Sequence, residues 1–304
     1  MLKDRYINPF TDFGFKKLFG TEPNKDLLMD FLNQILPQKH QIKELSYTSN
    51  EHLGSSEQDR KAIFDLYCTS EKGDKFIVEL QKANGSTHRQ NFFKERSVYY
   101  STFPIQEQAK RGEWDFQLSA VYTVGILDFV FAEDREEQKV LHVVQLKDQN
   151  CEVFYDKLTY IYLEMPNFDK EEDELETHFD KWLYVFKNLH RLHKIPNKLQ
   201  EKIFQKLFKA AEIAKFSKQE FESYNNSLKY YRDLTNVTNT AFQDGEKKGK
   251  EEGREEGREE GMKQRNVEIV LKALSENVSI SMIILLTGLT EEEILQIKIH
   301  AQKH

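Results

Sequence analysis

Cysteine is nearly absent: the 304 residues hold two, Cys68 and Cys151. Their number and separation give neither the spacing of a zinc site nor a disulfide framework, so both are expected as buried apolar residues. No run of about 18 apolar residues occurs, and Met1 to Phe10 carries Lys3, Asp4 and Arg5 where a signal peptide would be apolar. The expectation is a cytoplasmic protein with no membrane partner. Also missing are a glycine-rich phosphate loop, a Gly-x-Ser-x-Gly elbow and a His-Glu-x-x-His pair. Their absence removes nucleotide hydrolases, serine hydrolases and zinc proteases from consideration.

What is present argues for a folded chain. Hydrophobic residues make up 38%, with 22 Phe and 13 Tyr, enough to build a core despite a charged fraction of 31%. The length exceeds the usual ~100–200 residues of one domain. The formal net charge of −7 does not suit a general nucleic-acid coat. Contact with a phosphate chain needs only a local basic strip, however. Such a strip lies at Lys82, Arg89, Lys94, Arg96, Lys110 and Arg111, opposed only by Glu95 and Glu107.

Hydrophobic spacing gives an element order. Leu28, Phe31, Leu32 and Ile35 recur at helical intervals in a helix that begins at Asn24 and is stopped by Pro37. Strands are expected over Ile42–Ser49, Ala62–Thr69 and Lys75–Lys82, the last two joined as a hairpin by Ser-Glu-Lys-Gly-Asp. Gln90–Ala109 reads as a helix and Ala120–Phe131 as a buried strand. The result is an α/β core in the order α-β-β-β-α-β. Further strands are expected at Val140–Gln145, Val153–Phe154 and Leu158–Leu163, with helix throughout Glu172–Tyr231.

Four segments follow: an α/β domain over 1–165, a helical region over 166–243, a charged connector over 244–262 and a small helix-turn-helix-like module over 263–304. The connector repeats glycine every fourth residue from Gly245 to Gly261 among Lys-Glu-Glu and Arg-Glu-Glu triplets. A solvated connector is preferred over a self-association helix, because each helical glycine costs ~1 kcal/mol relative to Ala. The last helix opens with Glu291-Glu292-Glu293, which would repel phosphates. The module therefore suits assembly, including homo-oligomers, better than DNA reading.

The chemistry concentrates on the hairpin. A turn centred on Lys72 sets Asp65 opposite Glu79, both seven residues from the centre. Facing side chains lie roughly 4.5–5.5 Å apart at Cβ, and like charges so placed are destabilising unless a cation separates them. Ile63, Phe64, Leu66, Ile77, Val78 and Leu80 surround the pair with apolar side chains, so the carboxylates are not casual surface groups. Strand alternation puts Gln81 on the face of Glu79. Hard oxygen ligands at this density suit Mg²⁺ or Mn²⁺ and metal-assisted hydrolysis.

Phe64-Asp65-Leu66 followed by Val78-Glu79-Leu80-Gln81 resembles the Asp…Glu-x-Lys centre of PD-(D/E)XK nucleases, with Gln in the Lys position. The opening Asn8-Pro-Phe-Thr-Asp12-Phe-Gly-Phe-Lys16-Lys-Leu-Phe19, Asn33 and the charged glycine tail resemble the Rpn family of recombination-promoting nucleases and putative transposases. The resemblance implies a restriction-endonuclease-like fold and a metal-dependent DNA endonuclease of recombination or mobile elements. It also implies Asp65, Glu79 and the Leu80 carbonyl as metal ligands and Gln81 as the group that positions the attacking water. Asp12 is either a further carboxylate near the metal or the cap of a short helix ending near Phe19. Lys82, Arg89 and Arg96 are the expected phosphate contacts, and DNA the expected partner. The alternative is a catalytically degraded nuclease fold that binds DNA or protein.

Overall fold

The computed structural model describes residues 4–49, 51–52, 62–82, 92–109, 115–131 and 138–301. The N-terminal segment knots itself before the first helix, α1 (Asp12–Phe19). Asn8 accepts the Phe10 N–H on Oδ1, and its carbonyl takes both the N–H and the hydroxyl of Thr11. The Thr11 hydroxyl oxygen then accepts the Gly14 N–H at 3.0 Å, capping the helix. A Cβ on Gly14 would lie 2.2 Å from the Asn8 carbonyl, so only glycine permits the knot. Thr11 is thus the cap, and the capping role considered for Asp12 is corrected: Asp12 is the first helical residue.

Helix α2 (Lys25–Ile35) follows, with Leu27, Leu28, Phe31, Leu32 and Ile35 buried on one face. Asn33 then clamps the exit by bonding both the N–H and the carbonyl of Ile42. Next come β1 (Leu45–Tyr47), the short β2 (Glu51–His52) and β3 (Ala62–Ile63), β4 (Leu66–Ser70) and β5 (Lys75–Gln81). Helix α3 (Phe93–Glu107) and strands β6 (Val121–Leu127), β7 (Leu141–Lys147) and β8 (Val153–Glu164) complete the α/β part. The six-stranded sheet has the order β1-β4-β5-β6-β8-β7, with β5, β6 and β8 parallel. All seven residues of β6 are buried, as a central parallel strand requires.

Three sequence expectations are adjusted. Ala62–Thr69 is not one strand: it breaks at Phe64-Asp65, which lie between β3 and β4. Phe64 and Tyr67 both pack on the α3 side with Ile77, Tyr100 and Phe103, and residues three apart share a face only where strand alternation is interrupted. The pieces expected at Val153–Phe154 and Leu158–Leu163 form the single strand β8, whose polar stretch lies in its half-exposed first half. Cys68 is buried, but Cys151 is exposed in the β7–β8 turn at φ 65°, held between Asp148 and Glu152.

Helices α4 (His178–Asn188), α5 (Lys202–Ala211) and α6 (Lys218–Ser275) follow, with short 3-10 turns between them rather than continuous helix. Phe186 stacks on Phe19 with centroids 5.2 Å apart, and Trp182 packs on Phe31 while its indole N–H donates to Asp30. One compact unit therefore runs from Met1 to Asn239, uniting the sheet with the helices that follow it. A second, Thr240–His304, contains the rest of α6 with α7 (Ile280–Thr287) and α8 (Glu291–Ala301) around Val270, Ala273, Ile283 and Ile294. The glycine repeat lies in solvated helix with nothing near its glycines. No helix among the described residues is long and apolar enough to cross a membrane.

Gly125 of β6 pairs with Glu79 of β5. A Cβ there would come within 2.8 Å of the Phe93 ring of α3 and 3.1 Å of the Tyr162 ring of β8. Its bareness lets α3 settle over the sheet beside Glu79. Gly125→Ala should lose about 1–3 kcal/mol of stability through overpacking of two rigid rings. Urea unfolding measures it, and a loss below about 0.5 kcal/mol, the range of an innocuous surface change, would show that the rings yield freely.

Candidate active site

The hairpin has the register that a turn centred on Lys72 demands, with Leu66 opposite Val78 and Thr69 opposite Lys75. One step further, the ladder stops at the Phe64-Asp65 break, and side chains replace it. The Asp65 N–H donates to Glu79 Oε1 at 3.2 Å, while the Leu80 N–H, left without a strand partner, donates to Asp65 Oδ2 at 2.7 Å. The two carboxylates are therefore brought together, each anchored to the other strand's backbone. Glu79 is 7% exposed and Asp65 half-buried.

Burial, then the charge of Asp65, drives the Glu79 carboxyl well above the ordinary range; burial raises Asp65 as well, against the pull of the Leu80 N–H. Lys16, one turn after Asp12, is bonded to it at 2.9 Å. Burial works against the Lys16 charge, but Asp12, Asp65 and Glu79 outweigh it and hold the ammonium above its usual value. From α3, Arg96 donates through Nη2 to Gln81 Oε1 and lies over the rings of Phe93 and Tyr100. Gln81 uses its amide N–H on the Lys82 carbonyl.

A pocket of ≈ 470 Å³ opens at the carboxyl end of β5, lined by Asp12 and Phe15 of α1, by Asp65, Leu80, Gln81 and Lys82, and by Ser227, Tyr230 and Leu234 of α6. Helix α6 is sewn to the N-terminal knot. The Asn8 N–H donates to the Tyr224 hydroxyl, the Phe13 N–H to Ser227 Oγ, and the Lys17 ammonium reaches Glu220 at 2.5 Å. Lys82 holds its Nζ 5.7 and 5.6 Å from the ring centroids of Tyr230 and Tyr231. Burial lowers its affinity for the proton, against the attraction of Asp12, Asp65 and Asp128.

The family model for PD-(D/E)XK nuclease family transposases matches residues 9–241. The chain belongs to that family. Searches of curated proteins and of solved structures each found no match. Membership in the PD-(D/E)XK nuclease family transposases points to a phosphodiester hydrolase related to transposition. The mixed α/β structure with its six-stranded sheet is consistent with such a fold. The matched stretch ends two residues beyond the first compact unit and takes in the α6 residues that wall the pocket.

Of the residues singled out in the sequence, Asp65, Glu79, Leu80, Gln81, Lys82, Asp12 and Arg96 converge on this end of β5. Arg89 lies outside the described residues. Among the described residues no three His, Cys, Asp or Glu side chains form a ready metal-binding group, so the Asp12–Asp65–Glu79 trio is not a closed cage. Lys16, to which the sequence motif assigned no role, the α6 wall and Asp128 complete the surroundings. Asp128 follows β6, its N–H bonded to the Gln81 carbonyl, and accepts a hydrogen bond from the Tyr231 hydroxyl. An aspartate just after a buried parallel strand was the available signal.

Burial pushes the Asp128 carboxyl up to about 6, against the Tyr231 hydroxyl bond and the charge of Lys82. The folded protein thus binds a proton between that value and the 3.8 of an unperturbed aspartate, where the unfolded chain has released it. Stability should rise as pH falls from 7 towards 5. Asp128→Asn should flatten that rise, removing on the order of 1–3 kcal/mol of pH dependence. Melting curves across this window check it, and the same slope in both proteins would contradict the assignment.

Proposed function

We propose that the chain is a metal-dependent DNA endonuclease of recombination or mobile elements, with Asp65 and Glu79 at its centre. The observation that carries this is the meeting of two desolvated carboxylates beside a cation-bearing pocket. Each spends one oxygen on a backbone N–H, and neither second oxygen has a hydrogen-bond partner among the described residues. Such a pair is costly in isolation and is relieved by a divalent cation between its members. The donor set therefore fits Mg²⁺ or Mn²⁺, with Asp65, Glu79 and the Leu80 carbonyl as the holding groups and Asp12 facing the same pocket. Bound there, the ion would supply Lewis-acid stabilisation of the phosphoryl charge and a more acidic water.

The chain's own groups account for the remainder. Asp65 and Glu79 hold their position through the Leu80 and Asp65 N–H groups, so no reorganisation is needed when substrate arrives. Gln81 has a second amide N–H beyond the one given to the Lys82 carbonyl, and it orients the attacking water. Arg96 braces Gln81 from α3, and Lys82, Arg89 and Arg96 supply positive charge for the DNA backbone. Residues 1–165 carry the reaction and 166–243 complete the pocket wall. The solvated helix over 244–262 joins this part to a 263–304 module that brings copies together through exposed apolar side chains such as Leu285 (79% exposed) and Leu286 (62%).

Supercoiled plasmid is the direct test. The wild-type protein should nick it with Mn²⁺ or Mg²⁺ and not with a chelator, and Asp65→Ala should lose at least about 100-fold in rate, as for removal of a principal charge-stabilising group. Equal nicking by both proteins, or none by either at generous Mn²⁺, would favour a degraded nuclease fold that only binds. For the assembly module, light scattering should show a multiple of the monomer mass for the full chain and a lower mass per particle once residues 244–304 are removed. A monomer in both cases would end that part of the proposal.

A further inference from the structure

Three cations approach the candidate centre, and they differ in what already holds them. Lys16 is in an ion pair with Asp12 at 2.9 Å. Arg96 is given to the Gln81 amide oxygen. Lys82 makes no ion pair among the described residues: its ammonium rests over the rings of Tyr230 and Tyr231, which attract a cation without neutralising it. It also lines both the pocket at the end of β5 and an adjoining one of ≈ 230 Å³ that contains Asp128 and Tyr231.

The sequence motif places an amide at position 81, where a lysine would have supplied positive charge. Strand β5 ends at Gln81, and the Asp128 N–H closes onto the Gln81 carbonyl. Lys82 therefore stands just beyond the strand, entering the pocket alongside Leu80 and the α1 residues Asp12 and Phe15. It feels the charges of Asp12, Asp65 and Asp128 together. A surface lysine that merely tracks a DNA backbone would be exposed and flexible, whereas this one is half-buried and fixed by two rings.

We propose that Lys82 is the catalytic cation of this centre: its ammonium contacts a non-bridging oxygen of the scissile phosphate and stabilises the charge that gathers there as the attacking water adds. The role rests on the nuclease reading above. It supplies, one residue later and from Lys82 itself, the positive charge that Gln81 lacks, while Lys16 and Arg96 remain engaged with Asp12 and Gln81.

The experiment compares full-length wild type, Lys82→Met, Lys82→Gln and Asp65→Ala on a labelled DNA duplex. Single-turnover cleavage is measured in Mn²⁺, and DNA affinity by anisotropy in Ca²⁺. The expected result is a rate 10²–10³-fold lower for both Lys82 variants, the range for loss of one charge-stabilising donor, a loss that far exceeds the fall in DNA affinity that accompanies removal of one backbone contact, with an unchanged melting temperature. If both Lys82 variants cleave within about threefold of wild type, or lose rate only in step with DNA affinity, while Asp65→Ala is inactive, the assignment of Lys82 fails and the nuclease reading stands. If wild type and Asp65→Ala do not differ, both fail. The two neutral variants guard against a packing artefact, since Met keeps the apolar stem and Gln keeps a polar, uncharged end.

Discussion

Two carboxylates are held against each other by the backbone they sit on. Asp65 and Glu79 would separate if free, because each is desolvated and each repels the other. They stay because the antiparallel ladder stops one residue short of them. The Leu80 N–H would otherwise go to a strand partner; it takes the Asp65 carboxylate instead, and the Asp65 N–H takes Glu79. A continuous strand through Phe64 would have satisfied that N–H with a carbonyl and left the Asp65 carboxylate without its donor. The break in β-structure thus frees the N–H that anchors the acidic centre, and its cost must be borne by the surrounding packing.

That packing explains otherwise arbitrary residues. The pocket needs α1 and α6 beside the end of β5, and both are tied to the N-terminal knot: Asn8 and Thr11 set α1, and Tyr224 and Ser227 fasten α6 onto the same segment. On the other side of the sheet, α3 approaches β5 closely because Gly125 leaves room for Phe93. Phe93 in turn supports the Arg96 guanidinium. Three elements distant in sequence therefore each bring one cation towards the carboxylates: Lys16 from α1, Lys82 from the end of β5 and Arg96 from α3. A chain with net charge −7 builds its positive field locally, where low dielectric makes each charge count for more than it would in water.

What could be read from the sequence was what local periodicity controls. The hairpin register follows from a turn centre and a period of two, and the structure has it, Leu66 against Val78. The helix of Leu28 and Phe31 and the buried strand around Val124 follow similarly from their apolar spacing. The interruption at Phe64-Asp65 was illegible, because both residues fit an alternating strand and only the packing of Phe64 with Tyr100 and Phe103 of α3 overrules it. Tyr230 and Leu234 lie more than 140 residues from Gln81, and no local pattern announces that a helix surface will wall a pocket at a strand's end. Cys151 misled for a different reason: residue type argued for burial, but the tight turn between Asp148 and Glu152 decided.

The glutamine at position 81 makes physical sense once its neighbours are known. An amide can accept and donate at once, and Gln81 does both, taking Arg96 on its oxygen and giving its N–H to the Lys82 carbonyl. A lysine there could donate but not accept. Its ammonium would confront the Arg96 guanidinium, whose Nε is already buried without a hydrogen-bond partner among the described residues. The amide thus joins a guanidinium on one side to a backbone carbonyl on the other. The strand's last position thereby ties the α3 guanidinium to the backbone just beyond β5, and leaves the Lys82 ammonium to the rings of Tyr230 and Tyr231.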